Sequence, residues 1–431
     1  MLKNSRIPLG RAEALASHAI DEAHQSGLPV VDLVPVGGLR RFSPAVDGVT
    51  LLAVVEAAHR AAVLDRFARL SFVRSVVGTT DSHLRVITDR GLLEVHTAAP
   101  EMAGPSLVWH TGTRRHVKWL QSRAAALGFR FIDGRLESGS SAPSLADEEA
   151  FYRLLDLPHV PPELREGEDE IAAAERNNLP SLIDTTHIRG DLHMHSTWSD
   201  GRDSILQMAT SARDLGYEYI AMTDHSERSW ASRKLLSVEI PLQRQEIEAV
   251  RSQVSGIEIL HGIEVDIMPD GSLDFDDDTL AGFDIVLASL HDPAGADGAQ
   301  LTQRYVQAMW HPLVTIITHP ANRSPALSNG YDLDFNRLFR AAVSTSTAME
   351  IDGAPGHLDM DGRIARLAMA AGVTLTVNSD CHRAEALERQ MRFGIGTARR
   401  GWVGPEQVLN TRGIDGIREF IARKRGRSSR S

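Results

Sequence analysis

The stretch RGDLHMHSTWSDG, residues 189–201, decides how the chain is read. Its centre, DLHMH (191–195), alternates apolar and polar side chains as a β-strand does, so His193 and His195 share one face. A single metal ion can take both ring nitrogens at about 2.0–2.1 Å. Alone, a His-x-His pair is as readily two packed or surface histidines. Six further apolar runs of strand length follow: YIAMTDH (219–225), IEILHGIEVD (257–266), DIVLASLH (284–291), VTIITH (314–319), AMEID (348–352) and TLTVNSDCH (374–382). Each closes on a residue that binds metals or protons. Helical patterns such as SILQMATSARDLG, PLQRQEIEAVRSQV, FNRLFRAAV and RIARLAMAAG lie between them. That alternation predicts βαβ units and a parallel sheet. Chemistry at the C-terminal end of strand after strand is the habit of a barrel, so the expected fold is α/β with a distorted (β/α)7 barrel. An open doubly wound sheet accounts for the alternation but not for the convergence.

Read at those strand ends, the candidate ligands are His193, His195, Asp200, His225, Glu264, His291, His319, Asp380 and His382. Six histidines and three carboxylates gathered at one mouth would leave like charges and unsatisfied acceptors facing each other. Divalent ions remove that cost. The mixed donor set suits zinc, manganese or iron better than calcium and does not choose among the three. Arg323, just past His319-Pro320, has the guanidinium to grip a phosphate oxygen, although a loop arginine is as often merely solvated. Glu350 and Asp352 stand where they either support the ligands or cap a loop. Cys381 is expected to pack away from its neighbours, and DFDDD (274–278) to form a solvated turn before a helix.

The chain has 431 residues, 42% hydrophobic and 24% charged, which leaves room for two or three domains and excludes a fibre or a disordered tail. One cysteine permits no internal disulfide, and the N-terminus MLKNSRIPLGRAEALA has no apolar signal core. LLAVVEAAHRAAVL is cut by Glu56, His59 and Arg60 before it reaches membrane-spanning length, so a cytoplasmic protein with no membrane partner is expected. Charge is uneven: residues 1–135 carry 17 Lys+Arg against 12 Asp+Glu, and the remainder 29 against 45. An acidic domain repels polyanions unless bound cations cancel its field where the substrate sits.

RGDLHMHSTWSDG, AMTDHS, GIEVDIMPDGSLDF, SLH, THP and NSDCH resemble, in order, the motifs of the PHP (polymerase and histidinol phosphatase) superfamily, in the version fused to bacterial family X DNA polymerases. The likeness runs over 160–411. It implies three metal ions: one held by His193, His195, Glu264 and Asp380, a second bridged by Glu264 to His291 and His319, and a third held by Asp200, His225 and His382. It also implies phosphoester hydrolysis by a hydroxide bridging two cations, since metal-bound water ionises near pH 7. The implied substrate is DNA or a nucleotide, in a 3'-5' exonuclease, 3'-phosphatase or abasic-site reaction. A small-molecule phosphatase of the histidinol-phosphate or nucleotide type and a non-catalytic repair scaffold are the alternatives.

Residues 1–135 resemble the fingers, palm and thumb of the same polymerases, through RIPLGRAEALA, VPVGGLRRFSPAVDGVTLLAVV, GLLEVHTAAPE and VWHTGTRRHVKWLQSRAAALGFRFIDGRL. That family's palm holds Mg²⁺ with paired aspartates. Here those positions fall on Gly48 and Thr50, the third on Glu94, and the phosphate-binding turn becomes Gly37-Gly38 with Arg40 and Arg41 beside it. No counterpart of the family's preceding helix-hairpin-helix domain is expected. Nucleotide transfer is expected to be lost. The region then reads as a structural remnant, while the Arg114, Arg115, Lys118, Arg123 cluster keeps a DNA-binding reading open. The expected organisation is a degenerate polymerase-like region over 1–135, a linker over 136–188, the phosphoesterase domain over 189–415 and a basic tail over 416–431.

Overall fold

The computed structural model describes residues 6–138, 143–293 and 295–427, and it divides between Pro180 and Ser181 into two units. In the first, helix α1 (Leu9–Gln25) buries Leu9, Ala12, Leu15, Ala16, Ala19 and Ala23, spaced three and four apart along one face. A five-stranded sheet is built from β1 (Asp32–Val36), β2 (Val49–Val54), β3 (Val73–Thr79), β4 (His83–Thr88) and β5 (Gly91–Ala98). Its order is β1-β2-β5-β4-β3, with β2 and β5 parallel and the other pairs antiparallel. Strand β4 was not anticipated from the sequence. Helices α2 (Ala103–Thr111) and α3 (Arg114–Ala126) follow.

The linker expected over 136–188 is a correction. Residues up to 180 belong to the first unit and carry α4 (Glu148–Leu154) and α5 (Asp169–Glu175). The acids that made this stretch read as solvated are anchors instead. Glu148 accepts from Arg40 on both carboxylate oxygens and from the fully buried Arg165 on Oε1. His116 spans Glu170 at 2.9 Å and Tyr152 Oη at 2.8 Å, all three buried.

The second unit contains β6 (Gly190–Met194), α6 (Ile205–Asp214), β7 (Tyr219–Met222), α7 (Ile240–Gln253), β8 (Glu258–Asp266), β9 (Ile285–Ser289), α8 (Gly298–Trp310), β10 (Val314–Ile317), α9 (Phe335–Thr345), β11 (Ala348–Asp352), α10 (Gly362–Ala370), β12 (Leu375–Asn378), α11 (Leu387–Arg400) and α12 (Ile414–Arg427). Seven parallel strands lie in sequence order. Their residues are almost all buried on both faces, which is why they read as continuous apolar runs. The sheet curls into a nearly closed barrel. Between β6 and β12 the ladder is reduced to one bridge, Met194 to Cys381, and two buried side-chain amides take its place. Asn378 Oδ1 accepts from Leu192 N at 3.1 Å. Asn410 donates to Gly190 O (2.9 Å) and Val377 O (2.6 Å) and accepts from Val377 N (3.0 Å).

The basic tail expected over 416–431 is also corrected, because residues through 427 are helical and 428–431 lie outside the described residues. Ile417, Phe420 and Ile421 of α12 are buried against Leu192, Tyr219, Leu260, Ile285 and Ile316 of the barrel strands. Burying each is worth roughly 1.5–3 kcal/mol, so arginine-rich composition hid an amphipathic helix. Among the described residues no helix is long and apolar enough to cross a membrane.

Candidate metal centre

All nine sequence-predicted ligands meet at the C-terminal ends of the barrel strands. His193 in β6 and His195 just beyond it turn their Nε2 atoms to within 3.1 Å of each other, and Asp380, after β12, has Oδ1 3.6 and 3.1 Å from them. Glu264 in β8 is the hub. Its Oε2 lies 3.5 Å from His193 Nε2, 3.7 Å from His195 Nε2 and 2.8 Å from His225 Nδ1, and its Oε1 2.9 Å from His319 Nε2. His225 Nδ1 and Glu264 Oε2 are close yet not aligned for a hydrogen bond, and both are buried without a partner. Asp200 Oδ1 sits 3.2 Å from His382 Nε2 and 3.6 Å from His225 Nε2. His291 completes a group with His225 and Glu264. The side chains fall into several overlapping sets whose donor atoms lie within 4.8 Å of one another: His195, Asp200, His225 and His382; His193, His195 and Asp380; His193, Glu264 and His319; His225, Glu264 and His291. His195 is thus shared between two sets, and His225 faces both Asp200 and Glu264.

Buried, partnerless donor atoms at His195 Nδ1, Asp200 Oδ1, His225 Nδ1, Glu264 Oε2 and His319 Nδ1 fit a cage whose bonds are completed by cations. The acids enforce the same point electrostatically. Burial opposes a charge on His193, but Glu350, Glu264 and Asp380 lift its pKa well above the ordinary imidazole value. Burial likewise opposes a charge on His382, but the Asp200 carboxylate beside its ring and the Asp380 charge raise it to about 9. His195 goes the other way, down to about 3, through burial and its neighbours His382 and His225. Burial pushes Glu264 up, yet His225 and His193 hold it well below the carboxylate range. Protons here occupy positions that divalent ions would claim, so metal uptake would release them.

Matches to known families bear on this arrangement. A model of the PHP domain matches residues 191–319, and a model of the DNA polymerase beta thumb matches 106–166. The DNA polymerase/3'-5' exonuclease PolX of Bacillus subtilis is 32% identical over 97% of this chain and 73% of its own length. The chain belongs to the PolX family. A probable phosphatase of Syntrophotalea carbinolica is 27% identical over 53% of this chain and 94% of its own, and one from a Thermoanaerobacter species 29% identical over 57% and 96%. With its PHP domain, this PolX-family chain is a phosphoesterase-type hydrolase.

Several residues of this PolX barrel received no definite role in the sequence reading. Glu350 in β11, left there between two roles, is fully buried and accepts from His193 Nδ1 (2.8 Å), Asn378 Nδ2 (2.8 Å) and the backbone N–H of His319 (2.9 Å). Asp266 holds His291 Nδ1 at 3.0 Å. Such carboxylate partners fix the tautomer and direct Nε2 toward an ion. Asp224 accepts from the N–H and hydroxyl groups of Ser196 and Ser199 and from Gln243, so it shapes the loop that carries Asp200. His357 stacks on His319 with ring centroids 5.0 Å apart. Asp224, the two serines and His357 lie outside the barrel strands, where no periodicity marks them, so the fold assigns their roles. Backbone strain marks the centre too: His319 and Asp380 have φ of 23° and 50°, conformations that cost non-glycine residues of order 1–3 kcal/mol. Of the lesser candidates, Arg323 places Nη1 3.1 Å from Asp361, Cys381 is buried in the core with its thiol pushed up to about 12 by burial, and Asp276 caps the helix Asp277–Ala281.

At the polymerase-like positions, Thr50 and Glu94 are register partners on β2 and β5, and Glu94 is paired to Arg85 at 3.0 Å. A side chain at Gly48 would meet Leu92 at 3.2 Å. Asp47 is exposed beside Arg6. Arg40 is committed to Glu148 and Thr111, and Arg41 to Glu166 and the carbonyl of Thr111.

Proposed function

We propose that this PolX-family chain is a metal-dependent hydrolase of DNA phosphoester bonds, of the 3'-5' exonuclease, 3'-phosphatase or abasic-site type, and that it has lost nucleotide transfer. The observation that carries the proposal is the convergence of six histidines and three carboxylates around Glu264 at the barrel mouth. We assign His193, His195, Glu264 and Asp380 to a first divalent ion, Glu264 with His291 and His319 to a second, and Asp200, His225 and His382 to a third. Zinc, manganese and iron all suit this set. Bound ions would supply Lewis acidity and an acidified water. The chain supplies the rest: Glu350 and Asp266 aim imidazoles, Asp224 braces the loop before Asp200, and Arg323 is the candidate contact for a non-bridging phosphate oxygen. Three dications would add six positive charges and let an acidic unit accept a polyanion. The thumb match and the exonuclease named among its relatives favour DNA.

Loss of the polymerase reaction rests on Gly48 and Thr50, which offer no carboxylate, and on Arg40 and Arg41, whose guanidinium groups are already engaged inside the first unit. The domain roles follow: residues 1–180 carry the polymerase-like remnant and 181–427 the hydrolase. Purified full chain with Mn²⁺ is expected to shorten a single-stranded or gapped oligonucleotide, His193→Ala and Glu264→Ala to abolish this, and primer extension with deoxynucleotides to give no product. Primer extension would overturn the lost-polymerase reading. The probable phosphatases favour a second reading, because they match over 94% and 96% of their own length while covering only 53% and 57% of this chain. Turnover of phosphomonoesters with intact oligonucleotide would select it, and absence of both activities with fewer than two bound metals would leave a scaffold.

A further inference from the structure

The first unit holds a second gathering of imidazoles. His83 in β4 and His96 in β5 are register partners, and Glu94 lies two residues before His96 on the same face of the sheet. One donor atom from each of His83, Glu94 and His96 lies within 4.8 Å of the others. The rings of His83 and His96 stack at 4.3 Å and 13°, and His110 from α2 stacks on His96 at 4.0 Å and 30°. The barrel's own stacked ligands have the same spacing: His195 lies 4.4 Å from His225 and 4.3 Å from His382. His96 and His110 also line a cavity of about 840 Å³ with Arg60, Trp109, Arg130 and Arg135.

We infer that His83, Glu94 and His96 form a binding site for a zinc-class divalent ion on the palm-like sheet. A histidine stack is by itself ordinary packing. Two observations separate this one from it. His83 Nε2 is buried without a hydrogen-bond partner, a state that costs about 1–3 kcal/mol unless something coordinates it. The Glu94 carboxylate places an oxygen within 4.8 Å of a ring nitrogen of His83 and one of His96, and its pairing with Arg85 is through Oε1. Two imidazoles and one carboxylate are a zinc set with a coordination position to spare. Oxygen-seeking Mg²⁺ would not choose it. The site therefore differs in kind from a polymerase carboxylate pair, although Glu94 is the register partner of Thr50, where such a carboxylate would stand.

Zinc retained per chain after gel filtration, measured by plasma mass spectrometry, tests the inference on the full protein. His83→Asn and Glu94→Gln are each expected to hold one ion fewer than wild type, with barrel hydrolysis unchanged, while Arg85→Ala holds the same number as wild type. Unchanged zinc in His83→Asn overturns it. Should the variants fail to fold, wild-type crystals soaked in Zn²⁺ decide by anomalous scattering: a peak about 2.0–2.1 Å from His83 and His96 nitrogens is expected, and peaks in the barrel alone overturn the site.

Discussion

Replacing Glu350 by glutamine changes one atom and tests how the barrel aims its imidazoles. Three donors converge on this carboxylate: His193 Nδ1–H and the Asn378 amide on Oε1, and the His319 backbone N–H on Oε2. Glutamine offers one oxygen. With that oxygen toward His193, its NH2 group faces the His319 N–H, and in the flipped orientation it faces His193 and Asn378. Either way a buried donor loses its acceptor, at about 1–3 kcal/mol. Losing a carboxylate partner behind a ligating histidine typically weakens metal affinity or activity about 10–100-fold, or about 1.4–2.7 kcal/mol, so the two routes agree. The assay is oligonucleotide hydrolysis across a Mn²⁺ series. Glu350→Gln is expected to move half-saturation upward by that factor and to recover much of its rate at high Mn²⁺. Asp352→Asn is the control. Burial, with the Asp380 and Glu350 charges, pushes the Asp352 carboxyl well above its usual range, which favours the uncharged form that asparagine mimics. Asparagine keeps the acceptor for the Ala354 N–H, and the Mn²⁺ dependence should stay within about twofold of wild type. An unchanged Mn²⁺ dependence in Glu350→Gln, or an equal shift in Asp352→Asn, refutes the reasoning.

In the first unit, Glu148→Gln strands the buried Arg165 and is expected to cost about 3–5 kcal/mol in a denaturant titration. Burial pushes Glu148 up, but Arg165, His159 and Arg40 overcome it and depress its pKa; the stability it gives is therefore full above its ordinary value of 4.5 and erodes as pH falls below that, a slope the variant should lack. Gly201→Ala would set its Cβ 2.6 Å from the backbone of His195 and from Ser196 O; thermal melts should show a loss of about 1–3 kcal/mol, and displacement of neighbouring Asp200 should cut kcat by about 100-fold. Chelation of divalent ions should abolish hydrolysis and speed amide exchange at Leu192, His195 and Val377, where β6 meets β12, more than at β8 or β9.

The barrel was legible because its signal repeats: each parallel strand is a continuous apolar run, and each ends in a ligand-type residue such as His225, His291 or His319. The supporting layer was not. Glu350 sits inside a strand and Asn378 at the end of one, and their partners, His193 and Leu192, lie 157 and 186 residues away, beyond any local pattern. The misread linker failed for another reason. Glu148, Arg165 and Glu170 look like solvated charges until each is seen buried against an opposite charge or His116. In α12 the spacing of Ile417, Phe420 and Ile421 was present in the sequence, but the surrounding arginines masked it.

The amide-patched join between β6 and β12 has a consequence for how the protein comes into being. Two of the three proposed ligand sets draw on both flanks of that join, so neither is complete until the last strand has been made. His193 and His195 emerge from the ribosome long before Asp380 and His382, and until the late strand docks they face only part of their cage. Phosphoesterase chemistry would thereby be tied to completion of the fold: a chain stalled before Asp380 would carry only part of the centre.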